Sequence, residues 1–280
     1  MYRIDNSCWF YISIHYGREY WPRLIEKAHL FYRQNLEEFT YWLLFLSEER
    51  GENVRLVFCS PIDLAANAQM QEKIDQTFRE FLEKFPSPSA KQFPYGEFIW
   101  KYYDNNILNW NRFEICDYGG EGRFVDFAQK TSFLLTDLLK NDTSIDNAFS
   151  VALYLCVQLT QFLENENIRS FFDNVIDNII SDFDSYDSYR IATSTLEQNE
   201  MDLANILPII GEYYEEIQSL DEKAHYYNEW IKEASLLFSS HGSIRAYQYL
   251  CTLICEHLGL GYSHQFTIFN FIQRWFESKK

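Results

Sequence analysis

Apolar residues alternate with polar ones in the first part of the chain and recur at three- and four-residue spacing in the second. The stretch "CWFYISIHY" sets Phe10, Ile12, Ile14 and Tyr16 on one side of a strand and Trp9, Tyr11, Ser13 and His15 on the other. A helix is predicted over Trp21 to Leu36, with Pro22 suited to its first turn. "FTYWLLFLSEERGENVRLVF" reads as a hairpin whose polar loop contains Gly51. In its second strand Val54, Leu56 and Phe58 point one way, and Asn53, Arg55 and Val57 the other.

"DLAANAQMQEKIDQTFREFLEKF" has the spacing of an amphipathic helix with Asp63 as its N-cap, ending at "PSPSAKQFPYG". "EFIWKYY" and "RFEICDY" are predicted strands around a loop "DNNILNWN", the second read from Phe113 and Ile115. Gly119 and Gly120 then allow a tight turn into a helix. From Glu121 the spacing of Phe124, Phe127, Ala128, Leu134, Leu135 and Leu138 is helical. Further helices are predicted near 145–164, 166–184, 200–218, 221–238, 243–258 and 263–278. The expected fold class is α+β: an N-terminal antiparallel or mixed sheet with flanking helices, then a helical C-terminal half. The chain is expected to be a single domain over 1–280, β-rich over 1–120 and helical over 121–280.

Composition narrows the function classes. With 24 basic and 41 acidic residues the net charge is −17, which repels phosphate backbones and anionic lipid. Direct nucleic-acid binding and membrane binding are therefore not expected. Aromatic residues at 18% and hydrophobic residues at 47% indicate a substantial core. The N-terminus lacks the pattern of a signal peptide, no apolar run reaches the roughly 18 residues of a membrane helix, and a cytoplasmic location is expected.

Motifs for common chemistries are missing. The six cysteines show no disulfide framework, and all but Cys8 lie in apolar runs. Cys251 and Cys255 could share a helix face near His257 and His264, but their flanks are apolar and no metal is expected there. Ser13 and Ser60 have no recognisable base, and "GGEGRF" fits neither phosphate-loop pattern, so no cofactor is expected. Asp182 and Asp184 read as a solvated helix end, and His15 as a hydrogen-bonded structural histidine. Arg55, mid-strand and opposite the apolar face, must find a carboxylate, carbonyls or water.

Four segments together resemble the lantibiotic dehydratase C-terminal, or thiopeptide-type bacteriocin biosynthesis, domains: "CWFYISIHYG", "FLSEERGENVRLVF", "FEICDYGGEGRFVDFAQKTSFLLTDLL" and "TLICEHLGL". The resemblance implies a protein that acts on a ribosomally made precursor peptide. One branch of that family eliminates glutamate from glutamylated Ser or Thr. Another joins two dehydroalanines in a formal [4+2] cycloaddition. Arg55 matches the first arginine of the family's strand motif, whereas Asn53 and Val57 stand at its histidine and second arginine. Glu114 and Tyr118-Gly119-Gly120 are kept, but Asp117 replaces an arginine. Thr252 aligns with the C-terminal histidine, and His257 stands where an arginine would be.

The carry-over implies catalytic roles for His257 and Tyr118 and substrate contacts from Arg55, Asn53, Glu114 and Tyr11. Arg55 is expected to face a cavity in the N-terminal half and to bind a carboxylate or carbonyl of the substrate. The implied partners are a precursor peptide and a larger glutamylating, dehydratase-like protein, with homodimerisation left open. One remaining cation from an array suited to a dicarboxylate argues against elimination and for cyclisation. A non-catalytic subunit that docks the precursor or the dehydratase is the alternative.

Overall fold

The computed structural model describes residues 7–61, 64–88, 103–110, 113, 122–163, 172, 203–216 and 225–279. It has two compact units, 1–147 and 148–280.

In the first unit, β1 (Ser7–His15), β2 (Tyr41–Ser47), β3 (Asn53–Pro61) and β4 (Ile107–Trp110) form an antiparallel sheet in the order β2-β3-β1-β4. The predicted hairpin is present, with Leu44 opposite Leu56 and Phe45 opposite Arg55. Its turn uses left-handed backbone at Arg50 (φ 60°) and Gly51 (φ 110°). Helices α1 (Trp21–Gln34) and α2 (Leu64–Lys84) cover the apolar face. Phe31 of α1 and Phe78 of α2 lie 5.6 and 6.4 Å from the Phe58 ring on β3. Each such ring, fully buried, contributes about 1.5–3 kcal/mol. Helix α3 (Gly122–Leu138) runs along the outer edge of β2, where the Ser132 hydroxyl accepts the Leu44 N–H at 3.0 Å.

One strand lies where the sequence suggests a loop. "ILNW" is β4, not part of a connection between "EFIWKYY" and "RFEICDY". Asn106 takes a left-handed φ of 63°, which Asn tolerates, and its N–H donates to the His15 carbonyl at 2.7 Å. The turn therefore falls at "DNN", Leu108 is buried, and Trp110 donates its indole N–H to Asp75 of α2 at 2.9 Å. Phe113 and Tyr103 are not in strands. Asp63, Ile115, Gly119 and Gly120, and almost all of the helix predicted over 166–184, lie outside the described residues.

The second unit is helical where described: most of α4 (Ile145–Leu159), α5 (203–216), α6 (His225–His241), α7 (Ser243–His257) and α8 (Tyr262–Ser278). Its core combines aromatic and small residues: Tyr247 packs against Phe269, Phe149 meets Phe271 edge-on, and Ala234, Ala246 and Cys156 are buried. Helix α7 ends where Gly259 turns left-handed at φ 68°. The Leu260 N–H reaches back to the Cys255 carbonyl at 2.8 Å. The α+β class holds, with strands before residue 121 and helices after it among the described residues.

Candidate functional site

Period two places the odd-numbered residues of β1, β3 and β4 on the sheet face opposite α1 and α2. Tyr11, Ser13 and His15 of β1 stand beside Val57, Arg55 and Asn53 of β3, each pair in register. On the other flank Asn109 of β4 stands opposite Ser13. An apolar alternation would leave this face bland. Instead it carries polar side chains, and Ser13, His15 and Asn53 are only 2%, 3% and 1% exposed.

Arg55 forms an ion pair with Glu49 of its own hairpin loop. Its guanidinium also lies 5.0 Å from the Phe113 ring centre, an edge neighbour of Tyr11 at 5.5 Å and Phe45 at 6.0 Å. The loop's other acids are engaged too. Glu48 pairs with Arg18 at 2.9 Å, and Glu52 accepts the Arg18 backbone N–H at 2.7 Å. The retained cation is thus answered by a carboxylate of the same chain.

Asn53 has a divided role. Its Nδ2 donates to the carbonyls of Glu49 and Gly51 at 3.0 and 2.8 Å, which fixes the hairpin turn. Its Oδ1 is buried without a partner among the described residues. The same is true of Ser13 Oγ, His15 Nδ1, Arg55 Nε and Asn109 Nδ2. Burial, helped by the nearby Arg55 charge, lowers the His15 pKa to about 4, so its imidazole is neutral at pH 7. The ring lies 4.8 Å from that of Tyr103.

Arg55, Asn53 and Tyr11 therefore share one face. Ser13, His15 and Asn109 join them, and alternation alone did not single these three out. Only the β1–β4 pairing brings Asn109 in. Glu114 and Tyr118 lie outside the described residues. His257 belongs to the second unit, fully buried at the end of α7. Cys156, Cys251 and Cys255 are buried there as well, and burial pushes the Cys156 thiol well above its usual pKa. Cys255 is raised too, first by its hydrogen bond with Cys156. Such protonated thiols are poor nucleophiles. Among the described residues no group of three or more His, Cys, Asp or Glu side chains is placed to hold a metal ion. None of the described helices is long and apolar enough to cross a membrane. A groove of about 460 Å³ in the second unit is lined by Leu207, Glu212, Glu215, Trp275 and Lys279, none of them a residue singled out in the sequence.

No family model matches the sequence, and no curated protein matches it. Solved structures do match by fold. One is the pyridine synthase TbtD from thiomuracin biosynthesis, with a TM-score of 0.67 at 14% identity over 95% of this chain and 97% of that one. Another is TsrL, with a TM-score of 0.58 at 13% identity over 98% of this chain and 95% of that one. At such identities the likeness is one of fold, and it extends through both units.

Proposed function

We propose that this protein matures a ribosomally synthesised peptide of the thiopeptide type, as a cyclising component that acts on dehydroalanines in a precursor. The observation that carries the reading is the end-to-end likeness of fold to a pyridine synthase, which leaves almost none of either chain unmatched. The polar sheet face supports it. Eliminating glutamate requires cations to hold glutamyl carboxylates, and here Arg55 is already paired with Glu49 while Asn53 and Val57 carry no charge. Joining two dehydroalanines passes through less ionic species and needs no such array. On this reading the partners are the precursor peptide and the dehydratase-like protein that supplies its dehydroamino acids, and the work is done in the cytoplasm. Tyr118 and His257 remain the proposed catalytic groups, and Arg55, Asn53, Glu114 and Tyr11 the substrate contacts.

The test is to incubate the purified protein with a leader-bearing peptide containing two dehydroalanines, and separately with its glutamylated precursor. Ring formation by mass spectrometry and NMR is expected from the first and no change from the second. Loss of glutamate from the second would make the protein an eliminase. Tight binding of both without conversion would make it a docking subunit.

A further inference from the structure

Helix α5 carries a proline inside it. Pro208 has no N–H to give, so the Ala204 carbonyl one turn earlier lacks its helix donor. Both residues line the groove of about 460 Å³ that α5 forms with the end of α8. Farther along the same helix Glu212 and Glu215, three residues apart, add two exposed carboxylates to that wall. Neither is in an ion pair among the described residues. The groove's own cation, Lys279, lies over the Trp275 ring instead, 5.1 Å from its centre.

Acidic side chains alone do not make a site. The second observation is Trp275, which is only 4% exposed and whose indole N–H makes no hydrogen bond to a described residue. Gly211 of α5 stands opposite it. A β-carbon at Gly211 would meet a single atom, the indole nitrogen, at 3.5 Å. The glycine thus leaves the edge of the indole open to the groove that both residues line. An indole N–H only donates, and a buried one ordinarily has an acceptor. The groove therefore offers a donor on its α8 side and several acceptors along its α5 side.

A ligand that answers all of these must accept at one atom and donate at several. An arginine residue within a peptide does both. Its carbonyl accepts, its guanidinium presents five N–H donors in a planar fork, and its methylenes suit the apolar Leu207 and Pro208. Lysine offers a compact ammonium without that fork, and an acidic residue would meet like charge at both glutamates. The net charge of −17 also draws a cationic peptide toward the protein at low salt.

Resting on the peptide maturation proposed above, we infer that this groove holds an arginine of the peptide substrate as an anchoring contact. The Trp275 N–H donates to a backbone carbonyl beside that arginine. Glu212, Glu215 and the Ala204 carbonyl accept from its guanidinium, and Gly211 keeps the approach open.

The test titrates acetyl-Ala-Arg-Ala-methylamide and its glutamine and glutamate counterparts into protein labelled with ¹⁵N in its tryptophan side chains. The Trp275 Nε1 resonance is assigned by its loss in Trp275→Phe. The arginine probe is expected to shift that resonance and to bind about threefold or more tightly than the glutamine probe, less so as salt rises. Glu212→Gln and Glu215→Gln, at exposed positions, are each expected to weaken the arginine probe about twofold to fivefold and to leave the glutamine probe unchanged. Gly211→Ala adds a methyl group at ordinary contact distance and a better helix former, so its thermal midpoint is expected to equal or exceed the parent's. It should nevertheless weaken both probes about threefold to tenfold, the effect of one hydrogen bond. A Trp275 resonance unmoved by bound arginine probe would put the peptide elsewhere and overturn the inference. So would arginine binding indifferent to both glutamate variants, or glutamate-probe binding as tight as the arginine probe's. Absence of arginine-probe binding at any concentration would overturn it as well and leave peptide maturation standing, because ring formation on the dehydroalanine peptide is measured separately.

Discussion

Arg55 stands opposite Ser13 across β1 and β3, and the Arg55 guanidinium is paired with Glu49 rather than presented bare. The sheet face therefore holds a cation without being cationic, and this governs what removing the arginine should do. The Glu49 side chain is 65% exposed, so the pair adds about 1 kcal/mol of stability at most. Contact with the Phe113 ring adds a similar amount. Arg55→Ala should therefore fold, with a small loss in denaturant midpoint, yet lower processing of a dehydroalanine-bearing precursor about tenfold, as expected for a charge-assisted contact. Arg55→Lys should recover part of the activity, because a point charge lacks the planar fork. Unchanged processing by Arg55→Ala would make Arg55 a structural partner of Glu49 and Phe113.

His15 gives the protein an acid sensitivity whose sign is fixed. Its pKa is lowered to about 4 in the fold against 6.5 for the free side chain, first by burial and then by the Arg55 charge. Between those values the unfolded chain binds the extra proton and the folded one does not. The contribution is therefore fully present above about pH 6.5 and drains as pH falls toward 4, by at most about 1.4 kcal/mol per unit. His29, lowered by burial as well, acts in the same direction. Urea unfolding followed from pH 7 down to about pH 4.5 should show a shallower slope for His15→Gln than for the parent. Equal slopes would mean that folding leaves the His15 pKa unshifted.

These two residues also show how far the sequence could be read. Alternation placed Arg55 and Asn53 on the face opposite Val54 and Leu56, and two apolar runs around the polar loop with Gly51 gave the hairpin, whose register only the structure supplies. The same alternation put Ser13 and His15 on that face but could not say that their polar atoms would be buried without partners. That depends on what covers them. Nor could it foresee Glu49 as the partner of Arg55, because the approach depends on left-handed turns at Arg50 and Gly51. Asn109 was missed for a different reason. Four residues of strand flanked by asparagines give too short a period to outweigh the turn signal of "DNN", and only pairing with β1 makes "ILNW" a strand.

Gly259 should be the most demanding glycine of the second unit. At φ 68° it closes α7, with its own N–H on the Glu256 carbonyl at 3.1 Å and the Leu260 N–H on Cys255 at 2.8 Å, while Leu260 is buried beyond it. A β-carbon in left-handed backbone costs about 1–2 kcal/mol. Gly259→Ala should lower the thermal midpoint by a few degrees, and Gly259→Asn by less, since Asn tolerates that conformation. Equal midpoints for the parent and both variants would show that the helix ends without this turn.

Ser132 tests how the sheet edge is closed. An outer strand carries N–H groups that no neighbouring strand receives, and each needs another acceptor once buried. At Leu44 that acceptor is the hydroxyl of Ser132 on α3, 3.0 Å away, and the same hydroxyl donates to the Ala128 carbonyl at 2.9 Å. Both side chains are fully buried, so water has no route to replace the lost acceptor. Ser132→Ala should cost about 1–3 kcal/mol, the desolvation penalty of an orphaned N–H, although it removes one oxygen and changes little volume. Ser132→Cys keeps the size but gives a weak acceptor and should recover little. Amide exchange offers the sharper reading: the Leu44 N–H should exchange faster in Ser132→Ala, while that of Leu56 in the sheet interior should change only as global stability does. Unchanged exchange at Leu44 would show that the edge is closed by something other than Ser132.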